Sequence, residues 1–151
     1  MVTTVISGAQ TGADRAGLDV AIALGIMTGG WIPKGRRTEE GTLSWEDFRK
    51  YRLTEHSSWA YPPRTKSNVI MADATVLFGN MGSSGSKETI GYCIRHYKPY
   101  FPWVEGVSTA AKLRAWLETN GFQMLNVAGN RESKNPGIYR KTYDHLMETL
   151  R

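Results

Sequence analysis

A loop rich in glycine and hydroxyl groups follows the first apolar run of the chain and has the composition of a phosphate-binding turn. Its candidate ligand-binding residues are Gly8, Gln10, Thr11, Gly12, Asp14 and Arg15. The glycines let the backbone approach a ligand closely, and a helix that starts near Asp14 points unpaired N–H groups at an anion. The spacing matches neither GxGxxG nor GxxxxGK(S/T), so it indicates neither a dehydrogenase nor a standard ATPase. The sequence therefore predicts an anionic, nucleotide-like ligand at this loop.

Three further loops carry groups that suit phosphate oxygens. Their candidate residues are Lys34 and Arg36 in the first, Gly85, Ser86 and Thr89 in the second, and Asn126, Gly129, Arg131 and Ser133 in the third. Backbone N–H groups, hydroxyls and guanidinium groups are a typical phosphate-binding set. A single glycine-rich turn is as well explained by an ordinary tight connection. Four such loops at strand ends favour one shared crevice, because ligands bind there in parallel sheets.

Several of these side chains allow two interpretations. Asp14 either caps the first helix or accepts a hydrogen bond from a ribose or pterin donor. Arg64 and Asn68 are four residues apart and share a helix face, which suits a local side-chain pair or joint contact with the ligand. Arg36 and Arg131 either clamp phosphate oxygens or lie solvated at the surface.

Strands alternate with helices along the chain and must position these loops. Apolar runs predict strands at 3–6, 26–32, 74–78, 100–104 and 122–127, with a short edge strand at 51–54. Helical periodicity fills most intervals, and Gly25, Pro62 and Gly121 mark helix ends or starts. The alternation predicts an α/β protein with a Rossmann-like three-layer fold, a mostly parallel sheet and one domain over 1–151. A polar excursion from Pro33 to about Pro63 is typical of a functional, mobile or locally structured connection.

Composition favours a small acidic partner. The chain has 151 residues, of which 40% are hydrophobic and five are tryptophan, so it can bury a sizeable core. Its formal net charge is +5, but the basic residues are scattered. A phosphorylated small molecule fits that distribution better than duplex DNA, and nucleic-acid binding ranks last among the functions considered.

The sequence gives no sign of a metal site, a disulfide or a membrane span. His56, His96 and His145 lack the spacing of metal ligands, and Cys93 is the only cysteine. Cys93 lies on an apolar helix face, which predicts a buried thiol. We therefore expect no resident cofactor or metal, a reducing cytoplasmic location and no membrane insertion.

Four blocks of sequence carry a family resemblance. Ser7–Arg15, Thr28–Arg36, Arg64–Val69 and Asn126–Ser133, continuing through Pro136–Tyr139, resemble the signature blocks of the putative molybdenum carrier family. The resemblance spans nearly the whole chain. It implies a Rossmann-like domain of the lysine-decarboxylase-like superfamily, which is related to nucleotide-binding proteins and phosphoribohydrolases. It also implies a homo-oligomer and, as possible cargo, the molybdenum cofactor, a phosphorylated pterin.

One departure bears on catalysis. The superfamily's phosphoribohydrolases carry a GGxGTxxE motif, and the nearest match here is Ser84–Thr89, which has Thr89 in place of the glutamate and Glu88 one position early. One residue is a rotation of about 100° on a helix, which predicts that Glu88 points away from the position of the family's acid. Non-catalytic binding as carrier, sensor or sponge is therefore the leading hypothesis. The alternative is a nucleoside-monophosphate phosphoribohydrolase in which Glu88 acts despite its offset.

Overall fold

A computed structural model describes residues 1–151 as strands alternating with helices. The strands are β1 Thr4–Ile6, β2 Met27–Gly29, β3 Trp31–Ile32, β4 Arg37–Thr38, β5 Gly41–Thr42, β6 Thr54–Glu55, β7 Ala74–Phe78, β8 Tyr100–Pro102 and β9 Met124–Gly129. The helices are α1 Ala13–Ala23, α2 Trp45–Lys50, α3 Tyr61–Met71, α4 Ser84–Arg95, α5 Ala110–Asn120 and α6 Ile138–Leu150. None of the helices is long and apolar enough to cross a membrane.

The central sheet has five strands in the order β2-β1-β9-β7-β8, and every pairing in it is parallel. All five residues of β7 are buried, because a parallel sheet is covered on both faces. Helix α6 packs on α1 and α5, whereas α3 packs on α4. The predicted Rossmann-like three-layer fold with a mostly parallel sheet is confirmed.

The two faces of the sheet have different interiors. Val5, Val76 and Val127 belong to an apolar core that also includes residues of α1, α5 and α6. Side chains alternate along a strand, so their neighbours face the other layer. On that other face, Asn126 Nδ2 donates a hydrogen bond to Thr75 Oγ1 at 3.2 Å. Cys93 of α4 is buried, as predicted, and burial raises the pKa of its thiol.

Two predicted strands differ from the structure by more than a shift of one or two residues at their ends. The run 26–32 is divided at Gly30, where a Cβ atom would lie 2.0 Å from the carbonyl oxygen of Ser7. The chain turns there, so β2 joins the central sheet while β3 pairs with β6 in a separate two-stranded sheet. The predicted edge strand at 51–54 is wrong, because Tyr51 and Arg52 form a turn and β6 starts at Thr54.

The polar excursion has structure and a core of its own. It contains the antiparallel hairpin β4–β5 and the short helix α2, neither of which the sequence pattern predicted. Its apolar residues form a second core with the loop after β1, comprising Ala9, Leu18, Ile32, Leu43, Tyr51 and Leu53. Asp19 of α1 connects this excursion to α6, because it accepts hydrogen bonds from the hydroxyls of Tyr51 and Tyr139.

Candidate functional site

A cavity of about 300 Å³ lies at the carboxyl ends of β1 and β9, between the first turns of α3 and α4. Three of its nineteen lining residues are hydrophobic. The lining comprises Gly8, Gln10, Asp14, Tyr61, Arg64, Thr65, Asn68, Ser83, Ser84, Gly85, Glu88, Thr89, Asn126, Val127, Ala128, Gly129, Asn130, Arg131 and Lys134. Ligands of open α/β sheets bind at this edge, so the cavity is the candidate site.

The structure brings most of the predicted ligand-binding residues to this cavity. They are Gly8, Gln10, Asp14, Arg64, Asn68, Gly85, Thr89, Asn126, Gly129 and Arg131. Thr11, Gly12, Arg15, Lys34, Arg36, Ser86 and Ser133 do not line it. Among the residues that sequence reasoning missed, Tyr61 and Thr65 share the helical spacing of Arg64 and Asn68, a signal that points to them.

A buried ion pair forms the floor of the cavity. Asp14 Oδ2 accepts from Arg64 Nη1 at 3.4 Å and from the backbone N–H of Gln10 at 3.3 Å. Both side chains are about nine-tenths buried. Burial raises the pKa of Asp14, and the Arg64 guanidinium opposes that increase. The interpretation of Asp14 as a helix cap is wrong: Gly12 is the N-cap residue, with φ 81° and ψ −128°, a conformation that strains any residue with a side chain.

Gly8 makes room for Arg64. A Cβ atom on Gly8 would lie 1.1 Å from Arg64 Nη1, so the guanidinium occupies the space where a side chain would stand. Sequence analysis predicted that Gly8 permits close approach of a ligand, and in the structure an arginine makes that approach. Arg64 Nε is buried without a hydrogen-bond partner.

Gln10 presents a second unpaired donor. Its Oε1 accepts from the backbone N–H groups of Thr11 at 3.1 Å and Glu39 at 2.9 Å. Two N–H donors fix which end of the carboxamide is the oxygen, so Nε2 occupies the other end. Gln10 is 5% exposed, and its Nε2 has no partner in the protein. A buried donor without a partner costs about 1–3 kcal/mol.

Asn68 uses both ends of its side-chain amide to hold the backbone of Trp31. Its Oδ1 accepts from the N–H of Trp31 at 2.8 Å and its Nδ2 donates to the carbonyl of the same residue at 3.1 Å. Arg64 and Asn68 thus share a face of α3, as predicted, but each pairs with a different element. The contacts of Asn68 hold β3 against α3.

The start of α4 forms the opposite wall. Ser83 caps the helix by accepting from Ser86 N at 3.3 Å, and Asn130 donates to the same hydroxyl at 3.1 Å. The N–H groups of Ser84 and Gly85 lie in the first turn, where they have no partners within the helix. A Cβ atom on Gly85 would meet nothing within 4 Å. This turn is therefore open to an anion.

Glu88 lines the cavity one turn further along α4, together with Thr89. Glu88 thus reaches the cavity although it stands one position before the family's acid, and its rotation away from the position of that acid stays a prediction. The hydroxyl of Thr89 donates to the carbonyl of Gly85 at 3.0 Å and is thus engaged by its own helix.

Glu39, in the turn between β4 and β5, connects this hairpin by hydrogen bonds to the loops after β1 and β9. Its carboxylate accepts hydrogen bonds from the hydroxyls of Thr11 and Ser133 and, at 3.3 Å, from Ser133 N. Partial burial acts to raise the pKa of Glu39, but the hydrogen bonds from Ser133 and Thr11 outweigh it and lower the pKa overall. Thr11 Oγ1 also accepts from Glu132 N at 3.2 Å. Thr11 and Ser133, predicted as ligand contacts, therefore hold the rim together.

The remaining predicted cations lie outside the cavity. Arg15 donates to the carbonyl of Ala9 at 2.9 Å and pairs with Glu40 at 3.5 Å. Arg36 and Lys34 lie over the rings of Trp45 and Trp59, at 3.4 Å and 5.6 Å from the ring centroids. Ser86 is 2% exposed and faces the interior.

No group of three or more His, Cys, Asp or Glu side chains is placed to hold a metal ion.

Comparison with known proteins agrees with this architecture. The model of the cpYpsA family, described as the circularly permutated YpsA SLOG family, matches residues 5–150. A crystal structure titled putative molybdenum carrier protein, from Syntrophus aciditrophicus SB, is 35% identical with a TM-score of 0.90, and the match covers 99% of this chain and 96% of that one. No curated protein matches. The resemblance found in the sequence is confirmed, and the chain belongs to the circularly permuted YpsA SLOG family.

Proposed function

We propose that this protein binds a phosphorylated small molecule in the strand-end cavity without transforming it, as a carrier, sensor or sponge. The observation that carries the proposal is the open first turn of α4 in a cavity whose lining also includes Arg131 and Lys134. The N–H groups of Ser84 and Gly85 have no partners within the helix, and both residues line the cavity. A ligand with a phosphate group can accept hydrogen bonds from these N–H groups and from the two cations.

The charge of the cavity favours an anion. Arg64 is balanced by Asp14, while Arg131 and Lys134 add positive charge on the loop after β9. The aligned peptides of α4 add the equivalent of about half a positive charge at its first turn. A volume of about 300 Å³ lies at the lower end of small-molecule sites and suits a nucleotide-sized ligand.

The ligand classes that fit are a nucleotide, a nucleotide-derived signal and the phosphorylated pterin of the molybdenum cofactor. The description of the Syntrophus relative as a molybdenum carrier protein supports the last of these as cargo. Isothermal titration against AMP, cyclic nucleotides, ADP-ribose and molybdopterin discriminates among them. Binding of none of these compounds by the wild-type protein contradicts the proposal.

Gly85→Asp is the variant that tests the position of the ligand. The new carboxylate enters open space and favours the start of a helix, so we expect unchanged thermal stability. It also places a negative charge where the phosphate binds, so affinity is expected to fall by at least about tenfold, since a charge-assisted hydrogen bond contributes ~1.5–3 kcal/mol.

Gly91→Asp is the matched control. Gly91 lies on the same helix with nothing within 4 Å of its Cβ position, but it does not line the cavity. The control is expected to bind like wild type. Equal affinities for both variants would place the ligand away from the α4 start.

Phosphoribohydrolase activity is a second candidate, because Glu88 lines the cavity together with Asp14. Hydrolysis of a nucleoside monophosphate adds water across the N-glycosidic bond and releases the base and ribose 5-phosphate. A carboxylate at Glu88 suits the proton transfer that this cleavage needs. If the enzyme hypothesis is right, ribose 5-phosphate accumulates with wild type and is lost with Glu88→Gln. Turnover that survives this substitution removes Glu88 from the reaction.

A further inference from the structure

Three guanidinium groups surround the ring of Tyr61 at the mouth of the cavity. The guanidinium carbons of Arg37, Arg131 and Arg64 lie 4.6, 4.9 and 5.3 Å from its centroid. They come from the hairpin strand β4, the loop after β9 and helix α3, so three separate parts of the chain converge on one phenol ring.

Only one of the three arginines is neutralised by a carboxylate. Arg64 pairs with Asp14, whereas neither Arg37 nor Arg131 forms a salt bridge. Arg37 donates a single hydrogen bond to the carbonyl of Trp59 at 3.2 Å, and the Arg131 side chain makes none. Each guanidinium has five N–H donors, so most of the donors in the cluster are free.

The nearby carboxylates of Glu39 and Asp14 do not pair with Arg37 or Arg131. Glu39 is close enough for Arg131 to help lower its pKa, but its oxygens already accept hydrogen bonds from Thr11 and Ser133. Asp14 lies below the cluster on the cavity floor and serves Arg64. The donors of Arg37 and Arg131 therefore remain available to an external anion.

The ring of Tyr61 explains why the cations stay together. Like charges repel, and the negative face of an aromatic ring attracts a guanidinium group. Tyr61, Arg64 and Arg131 line the cavity, while Arg37 lies just outside it. The cluster thus extends the positive charge of the cavity to its rim, on the side formed by α3 rather than by α4.

We propose that this cluster is a second anion subsite and that the ligand carries two phosphoryl groups. One phosphoryl group binds at the first turn of α4, and the other binds between Arg37 and Arg131. The inference rests on the proposed function and narrows it from any phosphorylated molecule to a diphosphate or bisphosphate. Bidentate arginine contacts are well suited to select a second phosphoryl group.

The test compares AMP with ADP by isothermal titration in wild type, Arg37→Gln and Arg49→Gln. Arg49 is exposed on α2 and provides the same change of charge away from the cluster. Wild type and Arg49→Gln are expected to bind ADP at least about tenfold more tightly than AMP, which corresponds to ~1.4 kcal/mol. In Arg37→Gln the ratio of the two affinities is expected to fall to about threefold or less, or ~0.7 kcal/mol.

AMP, ADP and pyrophosphate together separate this inference from the proposed function. If AMP binds and Arg37→Gln leaves the ratio of ADP to AMP affinity unchanged, the subsite is wrong and the proposed function stands. If no nucleotide binds but pyrophosphate raises the melting temperature of wild type more than that of Arg37→Gln, the subsite stands and nucleotide binding is wrong. Absence of any pyrophosphate effect together with equal AMP and ADP affinities overturns the subsite.

Discussion

Arg64→Met is expected to lower the free energy of unfolding by about 3 kcal/mol at pH 7.5, because it leaves a buried carboxylate without its counterion. Methionine keeps the length and apolar contacts of the arginine stem, so the loss reports the charge and its hydrogen bond. The same variant is expected to lose ligand affinity by at least about tenfold, since Arg64 provides charged donors to the cavity. Urea unfolding and titration measure the two effects.

The loss of unfolding free energy in Arg64→Met is expected to become smaller as the pH falls. Burial raises the pKa of Asp14 even with Arg64 present, and removal of the guanidinium raises it further. A carboxyl group with a raised pKa in the folded state binds its proton more tightly when folded. The ionised form therefore costs stability above the folded pKa, and that cost disappears as pH falls toward the unfolded value near 3.8. Unfolding at pH 5 and pH 7.5 should show a smaller difference between variant and wild type at pH 5.

Asp14→Asn in the Arg64→Met background is the control for this effect. The neutral amide removes the unpaired charge, so the double variant is expected to be more stable than Arg64→Met alone and to lose its pH dependence over the same range. A deficit of equal size at both pH values in Arg64→Met would mean that Asp14 is not the group left unpaired.

Gly12→Ala is expected to destabilise the protein by about 3 kcal/mol, from backbone strain and steric overlap together. A Cβ atom there lies 2.3 Å from the carbonyl oxygen of Asn130 and 2.8 Å from the N–H of Glu132. Both are backbone atoms and cannot rotate away. The loops after β1 and β9 must separate, so thermal unfolding should begin at a markedly lower temperature.

Gly25→Ala measures how much stability is lost from positive φ alone, without steric overlap. Gly25 also has a positive φ, of 71°, but nothing lies within 4 Å of its Cβ position. We expect a loss of only about 1 kcal/mol, the usual penalty for alanine in left-handed backbone. If the two alanine variants were equally stable, close contact between the loops would have no energetic role at Gly12.

Local patterns were enough to predict the architecture and the four loops. A buried strand such as β7 is a largely apolar run in the sequence, and two prolines mark the first turn of α3. Parallel strands place their carboxyl ends at one edge, so a loop that follows a strand can be assigned to the site without knowledge of packing. Gly8, Asp14 and Gly129 were found in this way, whereas Arg64 was found from its helical spacing with Asn68.

The pairings inside the site could not be predicted, because they join distant parts of the chain. Asp14 and Arg64 are 50 residues apart, and Glu39 and Ser133 are 94 apart. No periodicity links such positions. Arg36 was misassigned for a related reason: α2 has six residues, too few for a helical pattern to show, and its Trp45 captures the guanidinium. Whether the protein is a homo-oligomer stays a prediction.

The central strand of the sheet is the last one in the chain. β9 lies between β1 and β7, so a growing polypeptide on the ribosome has two pairs of strands, β2-β1 and β7-β8, before the strand that joins them exists. β9 and the loop behind it also supply a wall of the cavity and the donor to the α4 cap. Translation must therefore pass residue 130 before the sheet can close, and the nascent chain completes the candidate site and the core that contains Leu125 and Val127 in the same step.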